Sequence, residues 1–183
     1  MITLIQSIRT AFSRLIDLLA IFLSLIMIFY ISFLDVFLVK GHSMSPSLND
    51  GEYLFVYKDR NVDRQYRSGQ IVVLVPPVNH STPEKYIKRV IAVPGDTISF
   101  ANGSVIVNGE LLTEHYLPSS IETHRQDQLE NRLTVLNDNE YFVMGDNRPF
   151  SMDSRNWGVV TGEMIVGRAW IRIWPLKTIS NSN

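Results

Sequence analysis

The chain contains no cysteine among its 183 residues. This absence excludes disulfide bonds, thiolate metal sites and a cysteine nucleophile. An excess of charge of one sign is also absent, because 17 lysines and arginines are balanced by 18 aspartates and glutamates. A nucleic-acid-binding protein would show a strongly basic face, so we expect no nucleic-acid partner. The four histidines have no metal-ligand spacing, and we expect neither a metal nor a cofactor.

Charged residues make up 19% of the chain, below the roughly 25% typical of soluble domains, and the shortage is local. Residues 18–34 (LLAIFLSLIMIFYISFL) carry no charge, and apolar residues resume after Asp35 as far as Val39. A helix of about 20 residues crosses the hydrocarbon core of a bilayer. The pattern therefore predicts a transmembrane anchor over residues 18–39.

A cleavable signal peptide is one alternative for this segment, and a buried core helix is another. The apolar run is longer than the usual core of a signal peptide and ends in FLVKGHS, without a small-residue cleavage site. It is also apolar on all sides, unlike a helix that packs one face on a protein core. Because Arg9 and Arg14 precede it, the positive-inside tendency places residues 1–17 in the cytoplasm and residues 40–183 outside.

After the anchor, the sequence is typical of β-structure. Short β-branched or aromatic runs are separated by turn sequences, and Asn102-Gly103 predicts a tight hairpin because glycine readily adopts the positive φ required. Residues 113–138 are polar and irregular, which predicts a surface excursion with one short strand. The fold expected for residues 40–183 is a mostly β domain with a closed or sandwich-like sheet. The predicted strands are 51–58, 70–75, 85–93, 96–100, 104–109, 139–145 and 167–174.

Lys88 and Arg89 interrupt the apolar strand predicted over residues 85–93. Neighbouring residues in a strand point to opposite faces, so one of the two cations faces the interior of the sheet or a cleft unless the strand lies at an edge. Lysine is the better candidate for the inward position, because burial lowers its pKa whereas arginine stays charged. A neutral lysine amine can accept a proton from a serine hydroxyl. The alternative is a half-exposed strand with both cations in solvent.

Three segments together resemble the type I signal peptidase family, the membrane-anchored Ser/Lys proteases that cleave leader sequences from exported proteins. In chain order, the segments are SMSPSL at 43–48, YIKRVIAVPGD at 86–96 and GDNRPFSMDSR at 145–155. They follow a single predicted anchor, and the resemblance continues to about Pro175. Ser43 or Lys88 alone would be a weak signal, whereas the combination and its order are specific.

The resemblance implies that Ser43 is the nucleophile and that Lys88 is the general base, in a Ser/Lys variant of serine-protease chemistry. It implies that Ser151 orients the lysine amine and that the main-chain N–H of Ser43 contributes to an oxyanion hole. The residues implied to brace the site are Asp146, Arg89, Asp153 and Arg155. The residues implied to line shallow pockets for small substrate residues at −1 and −3 are Met44, Leu48, Tyr86 and Ile87.

The resemblance also implies an all-β catalytic fold with a variable insertion, here within residues 97–140. Some members of the family carry an oxyanion-hole serine at the position of Gly41. Glycine at this position resembles the short single-anchor Gram-positive type, so another donor or a backbone amide must complete the hole. The implied partners are signal peptides of exported preproteins and the bilayer of the cytoplasmic membrane. The sequence does not indicate an oligomeric state.

Other functions remain open at this point. One is a specialised peptidase for pilus or conjugation substrates, and another is a membrane-anchored assembly factor without activity. The joint presence of Ser43, Lys88 and Ser151 favours an active peptidase, because an assembly factor need not retain all three. Soluble self-cleaving repressors use the same chemistry but would not begin with an apolar span.

Overall fold

The structure, a computed structural model, describes residues 2–58, 65–77, 84–118, 121–124, 133–174 and 177–178. The chain divides into two compact units, residues 1–35 and residues 36–183. The first unit is helical and the second is a β domain.

The N-terminal unit is a single long helix. Helix α1 runs from Ile2 to Phe33, which is about 48 Å at 1.5 Å per residue. By length and composition, its segment Gln6–Phe33 could cross a membrane. Large apolar side chains are exposed along this segment, as expected of a helix that is apolar on all sides. The predicted apolar helix is therefore present.

The boundaries of the helix differ from the predicted anchor at both ends. Helix α1 begins well before Leu18 and ends at Phe33, and strand β1 (Leu34–Leu38) follows it. Val39 is 3% exposed and belongs to a core cluster of the β domain. Composition alone did not separate residues 34–39 from the helix, because a short apolar run looks alike in a helix and in a buried strand.

The β domain is built around an eight-stranded sheet. Its strands, numbered in chain order, are β1, β2 (Tyr53–Lys58), β3 (Ile71–Leu74), β4 (Tyr86–Ala92), β9 (Glu140–Met144), β10 (Val160–Thr161), β11 (Ile165–Trp174) and β12 (Lys177–Thr178). The order across the sheet is β1-β2-β11-β3-β4-β9-β10, with β12 paired to β11. Strand β4 is antiparallel to both of its neighbours, β3 and β9. It therefore lies between these two strands at Arg89, whereas Tyr86–Lys88 pair with β3 on one side only.

A second, four-stranded sheet is formed by residues of the predicted insertion. Its strands are β5 (Thr97–Ala101), β6 (Ser104–Val107), β7 (Glu110–Leu111) and β8 (Thr134–Val135), in the order β7-β6-β5-β8. Asn102 and Gly103 join β5 to β6 with φ values of 50° and 72°. Positive φ at both positions is typical of a type I′ hairpin turn, so the predicted hairpin is confirmed.

The mostly β fold is confirmed, and all seven predicted strands are present within a residue or two of their predicted bounds. The prediction for residues 113–138 is only partly right. Strand β8 supplies the expected short strand, but Thr123 is 2% exposed and packs inside the domain. Residues 119–120 and 125–132 of this segment lie outside the described residues. A short helix, α2 (Ser154–Trp157), was not predicted, because four residues are too few to show a helical period.

Candidate active site

Two residues 45 positions apart in sequence meet at the centre of the site. Ser43 lies in the loop that follows β1, and Lys88 lies in β4. Lys88 Nζ is 2.9 Å from Ser43 Oγ, within hydrogen-bonding distance. Ser43 is partly exposed, whereas Lys88 is 2% exposed. A partly exposed serine therefore contacts an amine that is shielded from water.

The environment of Lys88 favours its neutral form. Burial lowers the pKa of Lys88 to about 8, because the charged ammonium loses its hydration. The carboxylates of Asp153 and Asp146 oppose this shift by raising the pKa, and the Arg155 guanidinium adds to it. Desolvation is the largest effect, so the amine is more readily deprotonated than an exposed lysine.

Arg89, the other cation of the strand, is also buried, at 1% exposure. The expectation that lysine alone would be inward is therefore wrong, and so is the alternative with both cations in solvent. Arg89 Nε and Nη2 donate to the two carboxylate oxygens of Asp146 at 2.9 and 2.6 Å. Its Nη1 donates to the carbonyl of Gly69 at 2.7 Å. A bidentate partner 57 residues away in sequence makes the burial of this guanidinium possible.

Asp153 and Arg155 form a second buried fork beside the site. Arg155 Nε and Nη2 donate to the two oxygens of Asp153 at 2.8 and 2.9 Å. Asp153 also accepts from the Gly145 main-chain N–H at 3.0 Å and caps helix α2. The side chain of Asp153 thus links the helix to the end of β9.

The buried arginines are each paired, and the buried lysine is not. Arg89, Arg148 and Arg155 form ion pairs with Asp146, Glu114 and Asp153, respectively. Among the residues that the structure describes, Lys88 is the only buried cation without a carboxylate at ion-pair distance. Because each fork is close to neutral as a pair, little net negative charge remains to hold the ammonium form of Lys88.

Ser151 is buried next to the loop that contains Ser43, but its predicted hydrogen bond to Lys88 is not formed. The Ser151 Oγ atom has no hydrogen-bond partner among the described residues. A Cβ on Gly145 would lie 2.2 Å from Ser151 Oγ and 2.4 Å from the Ser43 carbonyl oxygen. Ser151 and Ser43 therefore pack against the same glycine, and the orienting role of Ser151 stays a prediction.

Two residues that hold the loop containing Ser43 were not predicted from the sequence. The Asn147 main-chain N–H donates to the Ser43 carbonyl at 3.0 Å, and Asn147 Nδ2 donates to the His42 carbonyl at 3.0 Å. From the other side, Arg172 Nη2 donates to the Ser47 carbonyl at 2.7 Å. The position of Asn147 beside Asp146 in GDN was a signal that could have drawn attention to it. Arg172, near the end of β11, carried no such signal.

A cleft of about 660 Å³ opens beside Ser43 and Lys88. Met44, Tyr86 and Ile87, three of the residues predicted to contact substrate, line it. The structure does not support the prediction for the fourth residue, Leu48. Its side chain is fully buried in the core cluster of β2, β3 and β11, and it is not part of the cleft wall. The remaining lining residues are Phe37, Leu38, Val39, Lys40, Gly41, Glu84, Lys85 and Met152.

Within the described ranges, no group of three or more histidine, aspartate or glutamate side chains could hold a metal ion. The buried carboxylates beside the site are each engaged by an arginine. The chemistry available there is that of a hydroxyl and an amine in contact, next to an open cleft.

Most of this chain is similar in sequence to known proteins. A family model described as signal peptidase, peptidase S26, matches residues 12–174. Signal peptidase I P of Bacillus subtilis subsp. natto is 36% identical over 174 residues, covering 89% of this chain and 90% of that protein. Signal peptidase IB of Staphylococcus aureus strain Mu50 is 32% identical over 160 residues, covering 79% and 80%.

A crystal structure of a signal peptidase I from Enterococcus faecalis V583 is also similar, with 26% identity and a TM-score of 0.45. It covers 57% of this chain and 97% of that one. The family model spans most of the sequence, and the relatives exceed 30% identity over more than three quarters of the chain. On these grounds, the chain belongs to the signal peptidase family, peptidase S26.

Proposed function

We propose that this type I signal peptidase removes signal peptides from exported preproteins with Ser43 as the nucleophile and Lys88 as the general base. The observation that carries the proposal is the 2.9 Å contact between Ser43 Oγ and the buried Lys88 amine. A serine hydroxyl is a weak nucleophile unless a base takes its proton. Lys88 is suited to that role because burial lowers its pKa toward neutrality.

The proposed reaction has two halves. The neutral Lys88 amine takes the proton of Ser43 Oγ as the oxygen attacks the carbonyl of the substrate residue at −1. The C–N bond then breaks, Lys88 returns the proton to the leaving amine, and an ester remains on Ser43. Water, deprotonated by the same amine, attacks this ester; the C–O bond to Ser43 breaks, Lys88 returns the proton to Ser43 Oγ, and the signal peptide leaves with a free carboxyl group. The main-chain N–H of Ser43 is proposed as one donor to the oxyanion in both halves.

The remaining site residues hold these two groups in place. Asp146 pairs with Arg89, which follows Lys88 in β4, and Asp153 pairs with Arg155. Both carboxylates raise the pKa of Lys88. Because each carboxylate is paired with an arginine, its negative charge is largely balanced, and this limits the increase in pKa. We propose that Ser151 orients the lysine amine once substrate is bound. Its buried and unpartnered Oγ has the capacity for one such hydrogen bond.

The proposed substrate is an extended segment with small residues at −1 and −3. The cleft lies between residues 37–41 and residues 84–88, and two such walls can receive an added strand. Main-chain hydrogen bonds would supply affinity, and side chains at alternate positions would enter the pockets. Met44, Tyr86 and Ile87 are the proposed pocket residues because they line this cleft next to Ser43.

The activity should increase with pH through the deprotonation of Lys88. Only the neutral amine can act as the base, and its pKa is lowered to about 8. For a substrate without titrating groups, we expect kcat/KM to increase about tenfold per pH unit below that value and to level off above it. A continuous peptide assay over this pH range tests the expectation. A profile that stays flat down to roughly pH 6 would contradict a lysine base.

The proposed topology places residues 1–17 in the cytoplasm and the β domain outside the cell membrane. It rests on Arg9 and Arg14, which precede the apolar segment. In right-side-out spheroplasts, an added protease should remove the β domain and leave a short membrane-embedded fragment containing α1. Full protection in sealed spheroplasts, with digestion only after lysis, would indicate the opposite orientation.

A further inference from the structure

Arg148 connects the segment 145–155 (GDNRPFSMDSR) to the predicted insertion, residues 97–140. It is 1% exposed, and its Nη1 donates to Glu114 Oε2 at 2.8 Å and to Thr123 Oγ1 at 2.6 Å. Its Nη2 contacts the other Glu114 oxygen, completing a bidentate pair. Its Nε donates to the Gly145 carbonyl at 3.1 Å. One guanidinium therefore joins residues 114 and 123 to the main chain of the 145–148 segment.

The 145–148 segment in turn holds the nucleophile. The Asn147 main-chain N–H donates to the Ser43 carbonyl at 3.0 Å, and Gly145 packs against that same carbonyl and against Ser151. A displacement of this segment would therefore move Ser43 relative to Lys88.

Tyr116 connects the same network to the strand that carries the base. The Tyr116 hydroxyl donates to Glu114, and Arg148 Nη2 donates to the hydroxyl at 3.3 Å. The guanidinium carbon of Arg89 lies 3.9 Å from the centre of the Tyr116 ring. Glu114 and Tyr116 thus contact both the segment that holds Ser43 and the residue that follows Lys88.

From these contacts, we infer that Glu114 and Tyr116, through Arg148, are positioning residues that set the distance between Ser43 Oγ and Lys88 Nζ. This inference rests on the proposed Ser43–Lys88 reaction. It gives the insertion a role in catalysis, although neither residue lies in the cleft. The alignment of the reacting groups is sensitive to shifts of about 1 Å. Weakening the Arg148–Glu114 ion pair should therefore lower kcat by roughly 10- to 100-fold. The KM should change little, since the cleft walls are untouched.

The test compares Glu114→Gln with Glu122→Gln in the full-length protein. Glu122 lies nearby in sequence, its side chain is 76% exposed, and it contacts His124 at the surface. We expect Glu114→Gln to lose kcat by roughly 10- to 100-fold with KM within about threefold, and Glu122→Gln to match the wild type. Both rates are measured well below each variant's melting temperature and are corrected for the folded fraction, so that a loss of stability alone does not lower them.

A second variant covers the case in which Glu114→Gln folds poorly. Glu114→Leu combined with Arg148→Met replaces the ion pair with apolar side chains, an exchange that is often neutral for stability. A folded double variant with lowered kcat supports the inference, and one with wild-type kcat overturns it. Failure of both variants to fold would also overturn it, because the fork would then serve stability alone. If Ser43→Ala and Lys88→Ala remain active, the proposed reaction itself fails, which is a separate outcome.

Discussion

Ser43→Ala and Lys88→Ala are each expected to reduce cleavage of a preprotein with an Ala-x-Ala site to background. The loss should be roughly 10⁴-fold or more, since removing either half of a nucleophile–base pair disables both. Ser43 Oγ and Lys88 Nζ are in contact, and no other buried amine without an ion-pair partner is found among the described residues. The assay follows the mature product on gels, in detergent or vesicles.

Two controls make this result specific. Ser45→Ala alters a hydroxyl in the same loop whose contacts are to Leu48 and Asn49, and it should remain near wild-type activity. Lys88→Arg retains a positive charge but no proton-accepting amine, because a guanidinium stays charged. It should be as inactive as Lys88→Ala. An active Lys88→Arg variant would show that charge rather than basicity is required, and equal activity of all the variants would exclude the dyad on that substrate.

Gly145→Ala is expected to lower activity by at least roughly 100-fold although it adds only one methyl group. The added Cβ would lie 2.4 Å from the Ser43 carbonyl oxygen and 2.2 Å from Ser151 Oγ. Neither distance is compatible with a non-bonded contact, so the loop that contains Ser43 or the 145–148 segment must move. A displacement of about 1 Å can cost roughly 100-fold in rate. We expect a loss of that size or larger in kcat, measured with the same preprotein assay.

Gly162→Ala is the matched control for this substitution. Its Cβ would meet the Asn139 side-chain oxygen at 2.3 Å, but that side chain can rotate away. We therefore expect Gly162→Ala to retain activity, with at most a modest decrease in melting temperature. If Gly145→Ala is folded and fully active, the close packing of Gly145 on Ser43 is not required for the reaction. Circular dichroism of both variants separates unfolding from local displacement.

Local pattern was sufficient to predict most of the β domain. Alternating β-branched and aromatic residues placed seven of the eight strands that have four residues or more, and Asn102-Gly103 placed one hairpin, because both signals depend only on neighbouring residues. Strands of two residues, such as β10 and β12, were not predicted, since two residues show no period. Strand β1 was assigned to the anchor because its composition continues that of the helix.

The candidate site also has features that the sequence predicted and features that only the structure shows. The three segments in order indicated the family and predicted Ser43 and Lys88 as the reactive residues, because each motif is contiguous in sequence. The contact between the two residues is a tertiary feature that joins positions 45 residues apart.

The fork between Arg148 and Glu114 could not be predicted, since it joins residues 34 positions apart that share no motif. The burial of Arg89 and the position of Leu48 in the core likewise followed from long-range packing.

The sequence by itself determined the apolar helix, the β character and the family, and it predicted which groups react, because each of these depends on adjacent residues. Only the tertiary structure decided which carboxylate neutralises each arginine, which residues line the cleft and how strongly Lys88 is desolvated. These properties depend on distances between segments far apart in the chain. The pKa of a buried amine depends on its surroundings in three dimensions, which a one-dimensional pattern does not contain.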